Sequence, residues 1–488
     1  MNYQIDTRTA DYEMFKSNAL ASQNVVSKES CEEKLLNHSA SQKSEKANVI
    51  LHAFDWPYAH IAQNAQVIGE MGYRSVLVSP PMKSFKHEDG TQWWQRYQPQ
   101  DYRVIDNQLG NTEHFIAMTK ALEKHGIRVY ADVVFNHMAN EAYQRSDLQY
   151  PCAADIKRYD DQKEEYQSQI LFGDLSEPLF REEHFVDAFS IKDWKDPWEV
   201  QNGRITGGAT DPGLPKLKVC DYVIEQQRSY LKALKNIGVM GFRIDAAKHM
   251  TLDHLQRVWT ADIIENMHIF GEIITDGGTI KEEYQLFLQP YLEKTTLGAY
   301  DFPLFSTVFQ AFQKEGSMAS LIDPYCFGLA LLNVRAITFA ITHDIPNNDT
   351  FKSLILKEED EWLAYSYILG RDGGVPLVYT DLNPSNILSS NGKPRWIDSW
   401  KDPRMAKMIQ FHNYVHGEPM APIIADKEIL VFARGEKGIV VINKSDSEVL
   451  VHFEWHKEMR DLLTGCNYEL ESNQLNLAVN SKSYLMLV

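Results

Sequence analysis

Arg243 and Asp245 stand two residues apart in GFRID, a short run of strand character, and Glu272 stands in another such run, IFGEII. Residues i and i+2 of a strand share a face, so the guanidinium lies beside Asp245 and favours its ionised form. Glu272 sits among Phe270, Ile273 and Ile274, a setting compatible with a carboxyl that keeps its proton. One anionic and one protonated carboxyl can together attack a carbon and supply a proton to the group that leaves. Other runs end in groups of the same kind: Asp132 and Asn136-His137 in VYADVVFNH, and His343-Asp344 in ITFAITHD. Taken singly, each has a plainer explanation. An Arg-x-Asp pair is often a local ion pair, an Asn-His can cap a helix, and Trp93 and Trp94 are by default core aromatics.

What gives these groups weight is the order of the elements that would carry them. NVILHAF, SVLVSP, VYADVVF, GFRID, IFGEII, LGAYDFP, ITFAITHD and VPLVYT read as eight strands. Amphipathic stretches such as IAQNAQVIGEMG and HFIAMTKALEKHG fall between them. Alternating strand and helix predicts an α/β fold, a (β/α)₈ barrel, whose functional groups gather at the C-terminal ends of the strands. Asp132, His137, Arg243, Asp245, Glu272, His343 and Asp344 would then face one cup. Neighbouring strands lie about 4.8 Å apart, so carboxyls ending strands four and five can approach the separation of about 5–5.5 Å that suits retaining cleavage of a glycosidic bond.

One connection is long: about a hundred residues separate strands three and four, where a βα unit takes roughly 30. The expected organisation is a polar extension at 1–47 with a short helix around Glu32–Leu36, a barrel at 48–137 and 219–415, an inserted domain at 138–218, and a C-terminal antiparallel β-sandwich domain at 416–488. EILVFARG, GIVVINKS, EVLVHFEW and YLMLV supply strands of that last part.

A net charge of −18 argues against nucleic acid or an anionic membrane as partner and suits a neutral ligand. The five cysteines, Cys31, Cys152, Cys220, Cys326 and Cys466, are scattered and odd in number, without C-x-x-C spacing; they read as reduced thiols. With no signal-like N-terminus and no membrane-length apolar stretch, a cytoplasmic location is expected. Oligomeric state is left open.

ADVVFNH (131–137), GFRIDAAKH (241–249), FGEII (270–274) and ITHD (341–344) strongly resemble, in order and spacing, the four conserved segments of the α-amylase family of glycoside hydrolases. GYRSVLVSPP (72–81) and QWWQRYQPQDY (92–102) support the resemblance, which spans nearly all of residues 48–488. It implies an enzyme that hydrolyses α-1,4-glucosidic bonds of starch, glycogen or maltodextrins through a covalent glycosyl-enzyme. Asp245 would be the nucleophile, Glu272 the acid/base, and Asp344 the third carboxylate, holding the sugar's 2- and 3-hydroxyls. Arg243, His137, His343, Tyr97, Trp94, Gln98 and Lys248 would contact substrate or steady the site, with Asp132 bracing Arg243.

The chain also departs from the family pattern. Asn136 and the His249 carbonyl match two ligands of a structural calcium, but GLPKL (213–217) puts Lys216 where a carboxylate is expected; Asp211 is a candidate substitute. No cofactor is required on this reading, and the site is expected to be free of calcium. Chloride-binding relatives use an asparagine where this chain has Thr342 and a basic residue where it has Pro376, so chloride activation is not expected. GLPKL also resembles the Met-Pro-Lys-Leu of oligosaccharide-acting relatives, which keeps a 4-α-glucanotransferase-like or cyclomaltodextrinase- or neopullulanase-like activity as the alternative. A non-catalytic glycan-binding relative is a remote third reading, since Asp245, Glu272 and Asp344 are all present.

Overall fold

The eight apolar runs are short and continuous because each strand they form is covered on both faces. In the computed structural model, which describes residues 47–86, 91–208 and 210–488, they become β1 (Ile50–Ala53), β2 (Ser75–Val78), β3 (Arg128–Val133), β4 (Val239–Ile244), β5 (His268–Gly271), β6 (Gly298–Tyr300), β7 (Ala336–Phe339) and β8 (Val375–Thr380). Each pairs in parallel with the next, and β1 pairs with β8 through Ile50↔Leu377, closing a barrel. The expected extension, with its helix around Glu32–Leu36, lies outside the described residues apart from Ala47.

The helix Tyr58–Glu70 buries Tyr58, Ile61, Ala65 and Ile68, three or four residues apart, toward the barrel wall. The helix Thr112–Glu123 begins where the Asn111 side chain accepts the backbone N–H of His114. Between β3 and the helix Asp221–Asn236 the chain makes a polar excursion. It returns along β3's continuation: Met138 N donates to Pro215 O and Leu217 N to Asn136 O, which brings Lys216 opposite His137.

After the barrel the chain changes to antiparallel strands. β9 (Met420–Ala425), β10 (Ile429–Arg434), β11 (Gly438–Asn443) and β14 (Ser483–Leu487) form one antiparallel sheet; β12 (Val449–Glu454) and β13 (Gln474–Val479) form another with Leu470–Glu471. Val431, Val441 and Leu485 point between the sheets toward Val451, Leu475 and Leu477. The opposite parity, Leu430, Phe432, Val440 and Met486, joins the barrel's core. Arg434 fastens the joint, donating from Nη1 to the carbonyls of Gly370 and Arg371 at 2.6 Å each.

Cys152, Cys220 and Cys466 are free thiols, as expected. Cys326 is disulfide-bonded, which corrects the reading of the cysteines as uniformly reduced and takes one support from a reducing location. No helix among the described residues is long and apolar enough to cross a membrane.

Candidate active site

Register decides which side chains meet. Asp132 of β3 is the Cα partner of Arg243 on β4, and Ile244 is the partner of Gly271 on β5. One residue further along, Asp245 and Glu272 therefore leave adjacent strand ends at the same height. Asp245 N donates to Val133 O at 2.9 Å and Glu272 N to Ile244 O at 3.0 Å, continuing the ladder past the strands.

The side chains then converge on one guanidinium. Arg243 Nη1 donates to Asp132 Oδ1 and Oδ2 at 2.9 and 2.7 Å and to Asp245 Oδ1 at 2.8 Å. Its Nη2 donates to Glu272 Oε1 and lies 3.9 Å from Asp344 Oδ2. Ala246 adopts a left-handed conformation at φ 50°, which costs a non-glycine residue about 1–2 kcal/mol. In this turn the Ala246 N–H donates to Glu272 Oε2 at 3.2 Å. Backbone strain thus sits between the two carboxyls, where it fixes their relation.

Four carboxyls around one cation cannot all be ionised cheaply in a buried site. Burial pushes the carboxyls of Asp245 and Glu272 both up to about 7, and Arg243 pulls both down. Glu272 feels a second upward push from the charge of Asp344 and hydrogen-bonds to it. Asp245 is pushed up in the same way by the charge of Glu272, and both carboxyls accept a hydrogen bond from Arg243. The hydrogen bond shared with Asp344, which raises Glu272 alone, favours the proton on Glu272 and the charge on Asp245.

Aromatic rings build the wall. His343 stacks on Tyr97 (centroids 5.4 Å, 10° between planes) and on Phe54 (4.5 Å, 24°). Burial pushes it down to about 3, so the ring is neutral. Tyr97 donates its hydroxyl to Asp132 Oδ2 at 3.0 Å, and Trp94 stacks on Phe85 with 38% of its surface open. Asp245, Glu272, Asp344, Tyr97, Trp94 and Lys248 share one cavity of about 910 Å³. Gln98, His137, His343 and His249 line it too.

His137 is held at both ring nitrogens. Its Nε2 lies 3.0 Å from Tyr97 O and its Nδ1 3.2 Å from the Asn136 amide, so neither ring nitrogen is free for a sugar hydroxyl in this arrangement. Gln98 is similarly engaged, its Oε1 accepting from Asn140 N at 3.0 Å.

Asn136 and His249 do come together, but around a side chain. Lys216 Nζ donates to Asn136 Oδ1 and, at 2.8 Å, to His249 O. An ammonium aimed at both oxygens does not fit a calcium ion there. Burial pushes Lys216 down to about 7, while two carbonyl oxygens facing Nζ favour its charged form. Asp211 is engaged elsewhere, by Asn140 Nδ2 at 2.6 Å and Gly213 N at 2.9 Å.

Sequence reasoning missed Trp194 and Glu283, which also line the cavity. Glu283 Oε1 accepts from Lys248 Nζ at 3.0 Å. Trp194, half exposed, meets the ring of His249 edge-on at 5.8 Å. The signal available was a pair of tryptophans in the polar stretch DWKDPW, where a core role has little apolar company.

A buried carboxyl pair on a shared arginine, at the C-terminal mouth of a (β/α)₈ barrel, is the site of an acid/base and nucleophilic enzyme. The family model of the α-amylase catalytic domain matches residues 58–282. An α-amylase of Aeromonas hydrophila is 46% identical over 424 residues, covering 86% of this chain and 90% of that protein. Among solved structures, α-amylase I of Eisenia fetida in complex with maltohexaose is 20% identical with a TM-score of 0.71, covering 91% of this chain and 97% of that one. CldA, a cyclomaltodextrin glucanotransferase, is 17% identical with a TM-score of 0.65, covering 91% and 99%. At these identities the two structures speak for the fold alone. The chain belongs to the α-amylase family of glycoside hydrolases.

Proposed function

We propose that the enzyme hydrolyses α-1,4-glucosidic bonds in starch, glycogen or maltodextrins with retention of configuration. The observation that carries this reading is the placement of Asp245 and Glu272 on one guanidinium at adjacent strand ends. Glu272 gives its proton to the glycosidic oxygen as that bond breaks, while an Asp245 oxygen bonds to the anomeric carbon. Glu272, now a carboxylate, takes a proton from water; the hydroxide oxygen bonds to the anomeric carbon and Asp245 is released. Asp344 accepts hydroxyl hydrogens of the same sugar, Tyr97 and Trp94 offer flat faces, and Lys248 lies toward the reducing-end side.

Transfer to a second sugar instead of water is the alternative, kept open by the resemblance of GLPKL to the Met-Pro-Lys-Leu of oligosaccharide-acting relatives. Both routes share the first step. Products from amylose, glycogen and maltotriose, separated over time, distinguish them. New reducing ends in proportion to bonds cleaved support hydrolysis; longer chains from maltotriose without net reducing ends support transfer. No turnover of any α-glucan sinks both and revives a purely glycan-binding role.

Calcium and chloride are not needed on this reading. Lys216 Nζ bonds to the Asn136 and His249 oxygens that the family resemblance would give to calcium, and Pro376 in β8 offers neither charge nor N–H to an anion. Activity is expected to survive exhaustive chelation and to be unchanged by added chloride. Lys216→Met should lower the thermal midpoint, because it strands the Asn136 and His249 oxygens at about 1–3 kcal/mol each. A chelator-sensitive wild type restored by Ca²⁺ would refute the calcium part, and large activation by chloride the other.

A further inference from the structure

Trp198 is the second tryptophan of DWKDPW and leaves 64% of its surface open to solvent. A lone exposed aromatic needs no explanation. This one is built as a platform. Phe189 covers one face of the indole, with centroids 5.5 Å apart and planes within 7°. Phe189 is itself pressed onto Gly203, where a Cβ would come within 3.1 Å of its ring. The short helix Pro197–Asn202 that carries Trp198 is pinned at both sides. Asp196 Oδ1 accepts from Trp198 N at 2.8 Å, and Glu199 Oε2 accepts from Lys192 N and Asp193 N at 2.8 and 2.9 Å.

The platform is also tied to the catalytic cavity. Val200, in the same helix, is fully buried, and its carbonyl lies 3.1 Å from His249 Nδ1 in the turn that bears Lys248. Trp194, four residues before Trp198, lines the cavity itself. Trp194 and the helix that bears Trp198 both meet His249, so the two tryptophans stand on the Lys248 side of the cavity.

We propose that Trp198, backed by Phe189, is an outlying binding site for an α-glucan chain that runs out of the cavity past Trp194. The proposal rests on the reading of the cavity as an α-glucan site. The C–H faces of glucose rings stack on flat aromatic surfaces, and a rigid aromatic gives that contact at low entropic cost. A protein partner fits worse. Two tryptophans bury at most about 500 Å², short of the roughly 800 Å² per side of a stable protein interface. A polysaccharide strand is narrow and needs only a strip.

The test compares chain lengths. Trp198→Ala should raise KM for amylose about three- to tenfold, the worth of one aromatic contact, with kcat unchanged. Its kinetics on maltotriose, a chain of three sugars only, should match wild type, and Trp198→Phe should restore most of the amylose affinity. Equal losses on amylose and maltotriose would mean a structural role, and no change on amylose would mean no site; either overturns the proposal. So would a wild-type dimer that Trp198→Ala converts to monomer at unaltered KM, since the patch would then cover a second copy. If the wild type cleaves no α-glucan at all, the reading of the cavity fails first. A wild type that cleaves while Trp198→Ala behaves identically defeats this inference alone.

Discussion

Glu272→Gln is expected to lower turnover of amylose by about 10³- to 10⁴-fold, the upper range for a lost general acid, while hydrolysis of a maltoside with an activated aryl leaving group falls far less. The amide keeps the size of the side chain and its contact with Arg243 but has no proton acidic enough to give to a sugar oxygen. A leaving group that departs as a stable anion does not need that proton, so its first step is spared. The pH profile of kcat/KM carries a second signature, because it reports the free enzyme. Burial and Asp344 push Glu272 up to about 7, so wild-type activity should fall on the alkaline side as Glu272 loses its proton. Activity should fall on the acid side as Asp245 gains one, and the two limbs belong to the coupled pair. In Glu272→Gln the alkaline limb should vanish. Asp245→Asn, by contrast, removes the attacking oxygen and should abolish turnover of both substrates alike. Equal losses on both substrates in Glu272→Gln, with the alkaline limb intact, would show that Glu272 is not the acid.

Much of this arrangement was legible in the sequence because parallel barrels are regular. Once eight apolar runs alternate with helical text, the polar residue closing each run must sit at one rim, and Asp245, Glu272 and Asp344 follow from position. The bracing of Arg243 by Asp132 follows from register in the same way. What could not be read was anything set by side-chain choice among competing partners. The two ring nitrogens of His137 are spoken for by Tyr97 and Asn136, a fact of packing rather than pattern. Trp194 and Glu283 reach the cavity from the insertion and from the start of the helical stretch after β5, whose paths no periodicity encodes. In the C-terminal part, β13 was missed although Gln474–Val479 alternates strictly between exposed and buried. Its neighbours carry unbroken apolar runs that catch the eye, whereas its three outward positions are Gln, Asn and Ala. The bond at Cys326 lay beyond reach for the opposite reason, since nothing local marks it.

Arg243→Lys is the substitution expected to damage the site most among those that keep its charge. The guanidinium reaches Asp132, Asp245 and Glu272 with two nitrogens in a fixed fork; a lysine brings one ammonium on a flexible stem and cannot span them. Losing the preorganised cation should cost about 10²- to 10³-fold in kcat/KM, as for other fixed groups that stabilise charge at a reacting centre. The direction of the pH change is fixed by what Arg243 does now. It pulls Asp245 down against burial, so weakening it should move the acid limb toward higher pH, as Asp245 holds its proton longer. The same weakening lets Glu272 hold its proton longer too, so the alkaline limb should also move up, and the whole profile shifts in one direction. A plain loss of folded protein would scale the profile without shifting it. The thermal midpoint should fall as well, since buried carboxyls lose a partner they cannot replace from solvent. Arg243→Lys with wild-type kcat/KM and an unmoved profile would mean that Arg243 only fills space, and the electrostatic account of the carboxyl pair would fall with it.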